Sequence, residues 1–436
     1  MSTPFPAVPA AERRVPWVQL KYHSYAPHIY RNMVGDHSPS IRAGALVNVY
    51  DRDGRPFGSG FCNLAAKVAL RVFKHLRPTE TAGGTVAATG TTAAGTTAGT
   101  TAGSESSVPR VYARENAFAT EDEPLEALRR AATFRRETLR LDATGDAYRV
   151  VNADGDALGG LVVDRYADTL SVEVTALAVF QRLPAWLPVL HEALGTTRAV
   201  IQVDEQIARV EEIDRRLIPA PPVRSVKIRE NGVRYSVDFA DGHKTGFFCD
   251  QRDNRRRLAE LARGRRLLDV CCYTGGFSIS AKLGGAAEVT GVDLDEKAVA
   301  QGRANANLNQ CRVNFVHADA FSYMRQMQRN GATWDAVLLD PPKFIDGRDA
   351  FESGLKKYND LNVLGLQLAA PGALFVTCSC SGLLGAAEFE ELVVRAAHRY
   401  GRRLQIFERA GAGADHPVFS NHLGGRYLKT LWCRVW

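Results

Sequence analysis

The sequence predicts an α/β protein: a doubly wound parallel sheet in the C-terminal half, preceded by a mixed α+β unit and a small β-barrel. Three observations predict it. From Gly264 onward, apolar runs rich in β-formers alternate with helical patterns across short connections, as a parallel sheet requires. Residues 17–78 carry short apolar runs around an Asp51-Arg52-Asp53-Gly54 turn, as a compact barrel does. Between these regions, residues 81–103 are almost pure Thr, Ala and Gly.

The elements follow in order. Residues 45–50 read as a strand, and 57–61 and 68–73 continue the barrel, assigned to residues 1–78. Segment 81–103 has no charge, no aromatic and a single larger aliphatic, Val86. It cannot bury enough apolar surface to offset its ordering entropy, so 79–107 is expected to be a flexible linker. The α+β unit is assigned to 108–224, with a helical pattern over 124–141 whose candidate buried positions are Leu125, Leu128, Ala132 and Leu139. Strands are expected there at 148–152, 160–164, 170–174 and 200–203, and a helix at 183–194. The last domain, 225–436, begins with hairpin-like alternation over 233–248 and a basic helix over 251–263. Its sheet strands are expected at 266–270, 288–293, 313–316, 334–339 and 373–377. Its helices are expected at 277–283, 296–308, 320–329, 358–369 and 387–400, and strands 403–408 and 426–434 close the sheet.

Composition bounds the function. A chain of 436 residues with 45% hydrophobic residues buries a sizeable core in two or three domains. Lys and Arg number 55 against 48 Asp and Glu, and the net charge of +7 permits a polyanionic partner without requiring one. No run approaches the ~18 apolar residues of a membrane span. Residues 1–11 have neither a basic start nor a long apolar stretch, so no signal peptide is expected. The eight cysteines form no CxxC pair with a matching second pair, so a metal is not expected. Scattered cysteines without a signal point to the reducing cytoplasm, where thiols stay available as nucleophiles.

The first strand of the sheet runs out in Asp269-Val270-Cys271-Cys272-Tyr273-Thr274-Gly275-Gly276. Its glycines let backbone approach a ligand and turn into a helix. The G-x-G-x-x-G spacing of a pyrophosphate cradle is absent, which counts against nicotinamide and flavin cofactors. Asp293 ends the second strand, suited to ribose hydroxyls, and Asp319 ends the third, suited to an adenine edge. A lone acid at a strand end is more often a cap or turn residue. An ordered series of them, without a phosphate loop, describes a nucleoside lacking phosphates, and S-adenosylmethionine fits.

Two motifs 40 residues apart occupy the next strand ends: Asp340-Pro341-Pro342-Lys343-Phe344 and Cys378-Ser379-Cys380-Ser381-Gly382. Two prolines stiffen the first corner and leave its carbonyls and carboxylate to accept bonds from a base amine. The competing reading is a stiffened turn with a capping Asp. A cysteine beside a core strand is usually a small buried hydrophobe. The polar surroundings of Cys380 suit an accessible thiolate instead, with Cys378 as competitor. Together the motifs suit methylation at carbon 5 of a pyrimidine. Thiolate addition to carbon 6 makes carbon 5 nucleophilic, a base then takes the carbon 5 proton, and the thiolate leaves. The target base must leave its stack to reach such a site.

These motifs, with Gly242-His243-Lys244-Thr245-Gly246-Phe247-Phe248, Asp250-Gln251-Arg252-Asp253-Asn254 and Asp415-His416-Pro417, resemble the large-subunit ribosomal RNA cytosine-5 methyltransferase I family over most of the chain. The resemblance implies a Rossmann-like class I methyltransferase domain, seven-stranded with the last strand antiparallel, after an N-terminal PUA domain and a central α+β domain. It implies methylation of a cytosine in 23S ribosomal RNA, with Cys380 rather than Cys378 as nucleophile and Asp340 orienting the base. It implies an S-adenosylmethionine site on Gln251, Asp269, Tyr273, Thr274, Gly275 and Gly276, continued by Asp293, Asp319, Asp340 and Pro341. Lys67, Arg71, Arg252, Pro342, Lys343 and Lys356 are the expected RNA contacts, a homodimer is allowed, and His416 is the candidate for the proton-abstracting base. The rivals are N-methylation of a guanine, which needs no thiol, and a non-catalytic RNA-binding relic of the fold.

Overall fold

The computed structural model describes residues 6–76, 120–239 and 246–436. The expected linker and Gly242–Thr245 of the resemblance lie outside these residues. The chain divides into two compact units, Met1–Pro124 and Leu125–Trp436. No helix among the described residues is long and apolar enough to cross a membrane.

The first unit is a six-stranded sheet built from β1 (Trp17–Leu20), β2 (His28–Tyr30), β3 (Val34–His37), β4 (Ala45–Tyr50), β5 (Pro56–Cys62) and β6 (Val68–His75). Their spatial order is β2-β6-β5-β4-β1-β3. Val18, Leu20, Ile29, Val49, Phe57 and Leu70 form its core. At the β4–β5 turn, Asp51 Oδ1 accepts from the amides of Asp53 and Arg55 at 2.9 and 2.8 Å. Gly54 completes that turn at φ +77°, a conformation an L side chain resists.

The second unit opens on a four-stranded sheet of β7 (Ala147–Asn152), β8 (Leu161–Tyr166), β9 (Thr169–Val174) and β10 (Arg198–Gln202), close to the expected strands. The helix expected at 183–194 starts earlier, at Leu177, and contains both Pro184 and Pro188. Val179, Leu183, Trp186, Leu190 and Leu194 bury one face of it, and that packing outweighs two interrupted backbone bonds. The expected hairpin over 233–248 needs correction. The hairpin pairs β11 (Ser225–Glu230) with β12 (Val233–Asp238). Its turn is Asn231-Gly232, both at positive φ (49° and 84°), the two-residue connection that matches strand twist.

The large sheet comprises β13 (Arg266–Val270), β14 (Glu288–Asp293), β15 (Asn314–His317), β16 (Trp334–Leu339), β17 (Ala369–Ser379), β18 (Leu404–Ala410) and β19 (Lys429–Val435). Its order is β15-β14-β13-β16-β17-β19-β18. β13 to β17 run parallel, and β19 runs antiparallel to both its neighbours. The seven-stranded sheet with an antiparallel last strand is thus present. Leu268, Val270, Val292, Val337, Leu339 and Phe375 are wholly buried beneath its helices, which explains the near-continuous apolar strands. The helix expected from Tyr358 begins at Phe351, and β17 reaches Ser379 rather than stopping at Thr377. That extension bears on the chemistry, because it takes Cys378 into the strand and leaves Cys380 just beyond it.

Candidate active site

The strand ends named from sequence converge. After β13 the chain takes left-handed turns at Cys271 (φ 63°), Tyr273 (φ 48°) and Gly275 (φ 81°) before the helix Gly276–Leu283 begins. The Tyr273 amide donates to Asp293 Oδ2 at 2.8 Å, and the Asp295 amide donates to Oδ1 at 2.9 Å. Each Asp293 oxygen keeps a lone pair for a further donor. Asn305 Nδ2 holds the Thr274 carbonyl at 3.1 Å, and the Tyr273 ring lies edge-on to Phe248. The two glycines are needed for a reason other than ligand approach. A Cβ on Gly275 would come within 2.6 Å of Phe315 Cζ, and one on Gly276 within 3.0 Å of Arg255 Cδ.

Four acids gather around this turn. Burial pushes the Cys271 thiol pKa up, and the charges of Asp293, Asp340, Asp269 and Asp319 push it further. Asp269 is fully buried: Oδ2 accepts from Ser278 Oγ at 2.6 Å, while Oδ1 has no partner among the described residues. Burial raises its pKa to about 7, against the opposing effect of the Ser278 bond. Asp319 is exposed and caps the helix Ala320–Arg329 through the Ser322 amide at 2.9 Å. A cluster of carboxyls with an orphaned oxygen and unspent lone pairs fits a cationic nucleoside. S-adenosylmethionine, with its sulfonium, is such a ligand.

The neighbouring strand ends hold a different arrangement. Asp340 is half-buried, and Oδ1 accepts from Gln251 Nε2 at 3.1 Å. Asn254 Nδ2 donates to Gln251 Oε1 at 2.6 Å and to Thr430 Oγ1 at 3.3 Å, and Thr430 meets Cys378 Sγ at 3.4 Å. Burial, with the nearby Asp250 and Asp269 charges, raises the Asp340 pKa to about 7. Cys378 is wholly buried, and burial pushes its thiol well up. Cys380 is partly exposed, with Sγ 4.0 Å from the Pro341 carbonyl. Ser381 Oγ is held by the Ile345 amide at 3.1 Å and by the Tyr358 hydroxyl at 2.9 Å. Lys429 Nζ donates to the carbonyls of Ser381 (2.6 Å) and Tyr427 (2.8 Å).

Other residues named from sequence are placed as follows. Pro341 is buried, whereas Pro342, Lys343 and Lys356 are exposed. Lys67 is exposed and Arg71 partly so, both in the first unit. Arg252 is a correction: it is not an RNA-facing side chain. It is 4% exposed and grips Asp415 through Nη1 at 2.7 Å and Nη2 at 3.2 Å. Burial would raise the Asp415 pKa, but His416 and Arg252 outweigh it and hold the carboxyl well below its usual range. His416 is buried too, Nδ1 on Asp415 at 3.0 Å and Nε2 without a partner among the described residues. Sequence reasoning gave no role to Asn254, although it stands in the motif of the resemblance, and missed Thr430, Tyr358 and Lys429. The one local signal was a lysine opening an apolar strand, Lys429-Thr430-Leu431-Trp432-Cys433.

Comparison with known proteins gives this arrangement its class. Residues 202–428 match the model of the S-adenosylmethionine-dependent methyltransferases, and residues 10–75 that of PUA-like domains. A solved structure described as a SAM-dependent methyltransferase from Streptococcus mutans shares the fold. Its TM-score is 0.71 at 19% identity, over 96% of this chain and 100% of that one. Another, a methyltransferase complexed with SAH, has a TM-score of 0.71 at 20% identity over 94% and 96% of the two chains. The chain is an S-adenosylmethionine-dependent methyltransferase with a PUA-like N-terminal domain.

Curated relatives narrow this further. The Ribosomal RNA large subunit methyltransferase I of Photobacterium profundum is 34% identical over 312 residues, 70% of this chain and 79% of that one. Its namesake from Aeromonas hydrophila is 39% identical over 300 residues, 66% of this chain and 74% of that one. The chain belongs to the ribosomal RNA large subunit methyltransferase I family.

Proposed function

We propose that the protein methylates carbon 5 of a cytosine in large-subunit ribosomal RNA, with Cys380 as covalent nucleophile. The carrying observation is the approach of Cys380 Sγ to the Pro341 carbonyl, 4.0 Å, which puts a thiol beside the acid-Pro-Pro corner. The names of the relatives support ribosomal RNA as substrate. Bound S-adenosylmethionine supplies an electrophilic sulfonium methyl group. Tyr273 to Gly276 with Asp269, Asp293 and Asp319 would hold it, with Asp340 and Pro341 completing the set.

The chain's own residues do the rest. The Pro341 carbonyl accepts from the exocyclic amine of the base. The Asp340 carboxyl, with a pKa of about 7, keeps a proton near neutral pH and donates it toward ring nitrogen 3. Cys380 Sγ adds to carbon 6, and the displaced π electrons make carbon 5 the nucleophile for the methyl group. The carbon 5 proton then departs to a base, the carbon 5–carbon 6 double bond re-forms, and Cys380 leaves. His416 is our candidate for that base, supported by its unpartnered Nε2. Gln251 serves by orienting Asp340 rather than by touching a ligand. Lys343, Lys356 and Pro342, with Lys67 and Arg71 on the barrel, are the proposed RNA contacts. In this reading residues 1–78 form the RNA-binding barrel, 79–107 a linker, 108–224 the central domain and 225–436 the catalytic domain.

The test is incubation with ribosomal RNA and S-adenosylmethionine followed by mass spectrometry of the nucleosides. We expect 5-methylcytosine, lost in Cys380→Ala. A methylated guanine, or full product from Cys380→Ala, sinks the proposal. Absence of calorimetric heat with S-adenosylmethionine would favour a non-catalytic RNA-binding protein.

A further inference from the structure

We infer that Lys429 is a positioning residue for the nucleophile: its ammonium, clamped onto the segment that carries Cys380, holds that thiol as a thiolate. The inference rests on the assignment of Cys380 above. It begins with strand register. Lys429 is the antiparallel partner of Ser379, so its side chain starts one residue from Cys380 across β17 and β19. Its Nζ then reaches forward to the Ser381 carbonyl at 2.6 Å, spanning the Ser379–Ser381 tripeptide. A second bond, to the Tyr427 carbonyl at 2.8 Å, fixes the head group from its own chain.

An ammonium has three donors, and these two bonds go to neutral carbonyls. Lys429 is 7% exposed, so an anion is needed nearby to offset burial of its charge. Burial pulls its pKa down to about 8, and the titratable group acting in the opposite direction is Cys380. Other titratable side chains packed on this segment do not replace that partner. Tyr358 bonds Ser381 Oγ, and burial raises its pKa, which keeps it neutral. Asp340, on the adjoining strand end, titrates at about 7 and opposes the thiolate when charged.

The step balances. The Cys380 S–H bond breaks, its proton goes to solvent, and sulfur keeps the electron pair beside the Lys429 ammonium. That pair forms the bond to carbon 6 of the base. When the adduct collapses, the pair returns to sulfur opposite the same ammonium. Lys429 thus lowers the cost of both entering and leaving the covalent state without touching the base.

The test reads the thiol itself. Full-length protein, without RNA, is treated with iodoacetamide across a pH series, and alkylation at Cys380 is followed by peptide mass spectrometry. Wild type is expected to react with a titration well below that of a free cysteine. Lys429→Gln, which removes the charge and keeps two N–H donors, is expected to lose roughly tenfold or more in Cys380 reactivity at about pH 7. Lys429→Arg, which keeps the charge, is expected to retain the wild-type profile. An ordinary thiol titration in wild type overturns the inference without any variant, and so does an unshifted profile in Lys429→Gln. Neither result touches the role of Cys380, which the nucleoside product of Cys380→Ala decides separately.

Discussion

The two halves of one sheet edge hold their functional groups in different ways. At the ends of β13, β14 and β15, backbone and near neighbours position the acids. The Tyr273 amide is 20 residues from Asp293, and Asp319 caps its own helix through Ser322, three residues on. At the ends of β16 and β17 the supporting groups come from far along the chain. Gln251 lies 89 residues from Asp340, Lys429 48 from Ser381, and Asn254 176 from Thr430. The first half is a scaffold of strand-end turns that many nucleoside-binding sheets can share. The second half is a tertiary network, in which Cys378 is buried and Cys380 is left partly exposed.

If this contrast is right, substitutions in the second half should strike turnover and those in the first half cofactor affinity. The largest effect is expected for Cys380→Ala, a loss of turnover on the order of a thousandfold or more with cofactor binding unchanged. Single-turnover methyl transfer would check it, and a fall in cofactor affinity instead would blur the two halves. Next, Asp340→Asn should slow methyl transfer roughly a hundredfold while 5-methylcytosine remains the product. In wild type, transfer should also decline as pH rises above about 7, where Asp340 loses its proton. A flat profile across that range would separate Asp340 from proton donation.

In the first half, Asp293→Ala should weaken S-adenosylmethionine binding roughly 10- to 100-fold by calorimetry, the scale of charge-assisted hydrogen bonds. Asp269 gives a stability effect with a definite pH direction. Its folded value, about 7, lies above the ~3.9 of an unfolded aspartate. Its contribution is therefore complete below about pH 4 and is lost as pH rises through about 7. Asp269→Asn should remove that loss, so urea unfolding should favour the variant increasingly between about pH 5 and pH 8. The smallest effect belongs to Cys378→Ala: roughly 1 kcal/mol of stability and no change in turnover, since a buried thiol acts as a small hydrophobe.

Much of the fold was readable along the chain. Glu288–Asp293 and Trp334–Leu339 form as expected, because each is a short run with a buried middle that ends at an acidic turn. The hairpin lies earlier than the alternation over 233–248 indicates, because Asn231-Gly232, both at positive φ, makes the two-residue turn that sets its pairing. The early start of the helix Leu177–Leu194 was hidden by its two prolines, whose cost only tertiary packing offsets.

By itself the sequence determined the strand order of motifs: acids ending β14, β15 and β16, a cysteine beyond β17, and no phosphate loop. These depend on period and turn chemistry, which neighbouring residues encode. Only the tertiary structure decided that Arg252 is spent on Asp415, that Asp340 is raised toward neutrality, and that Lys429 stands beside Cys380. Burial and charge proximity set those properties, and both come from residues brought together across long stretches of chain, which local pattern does not record.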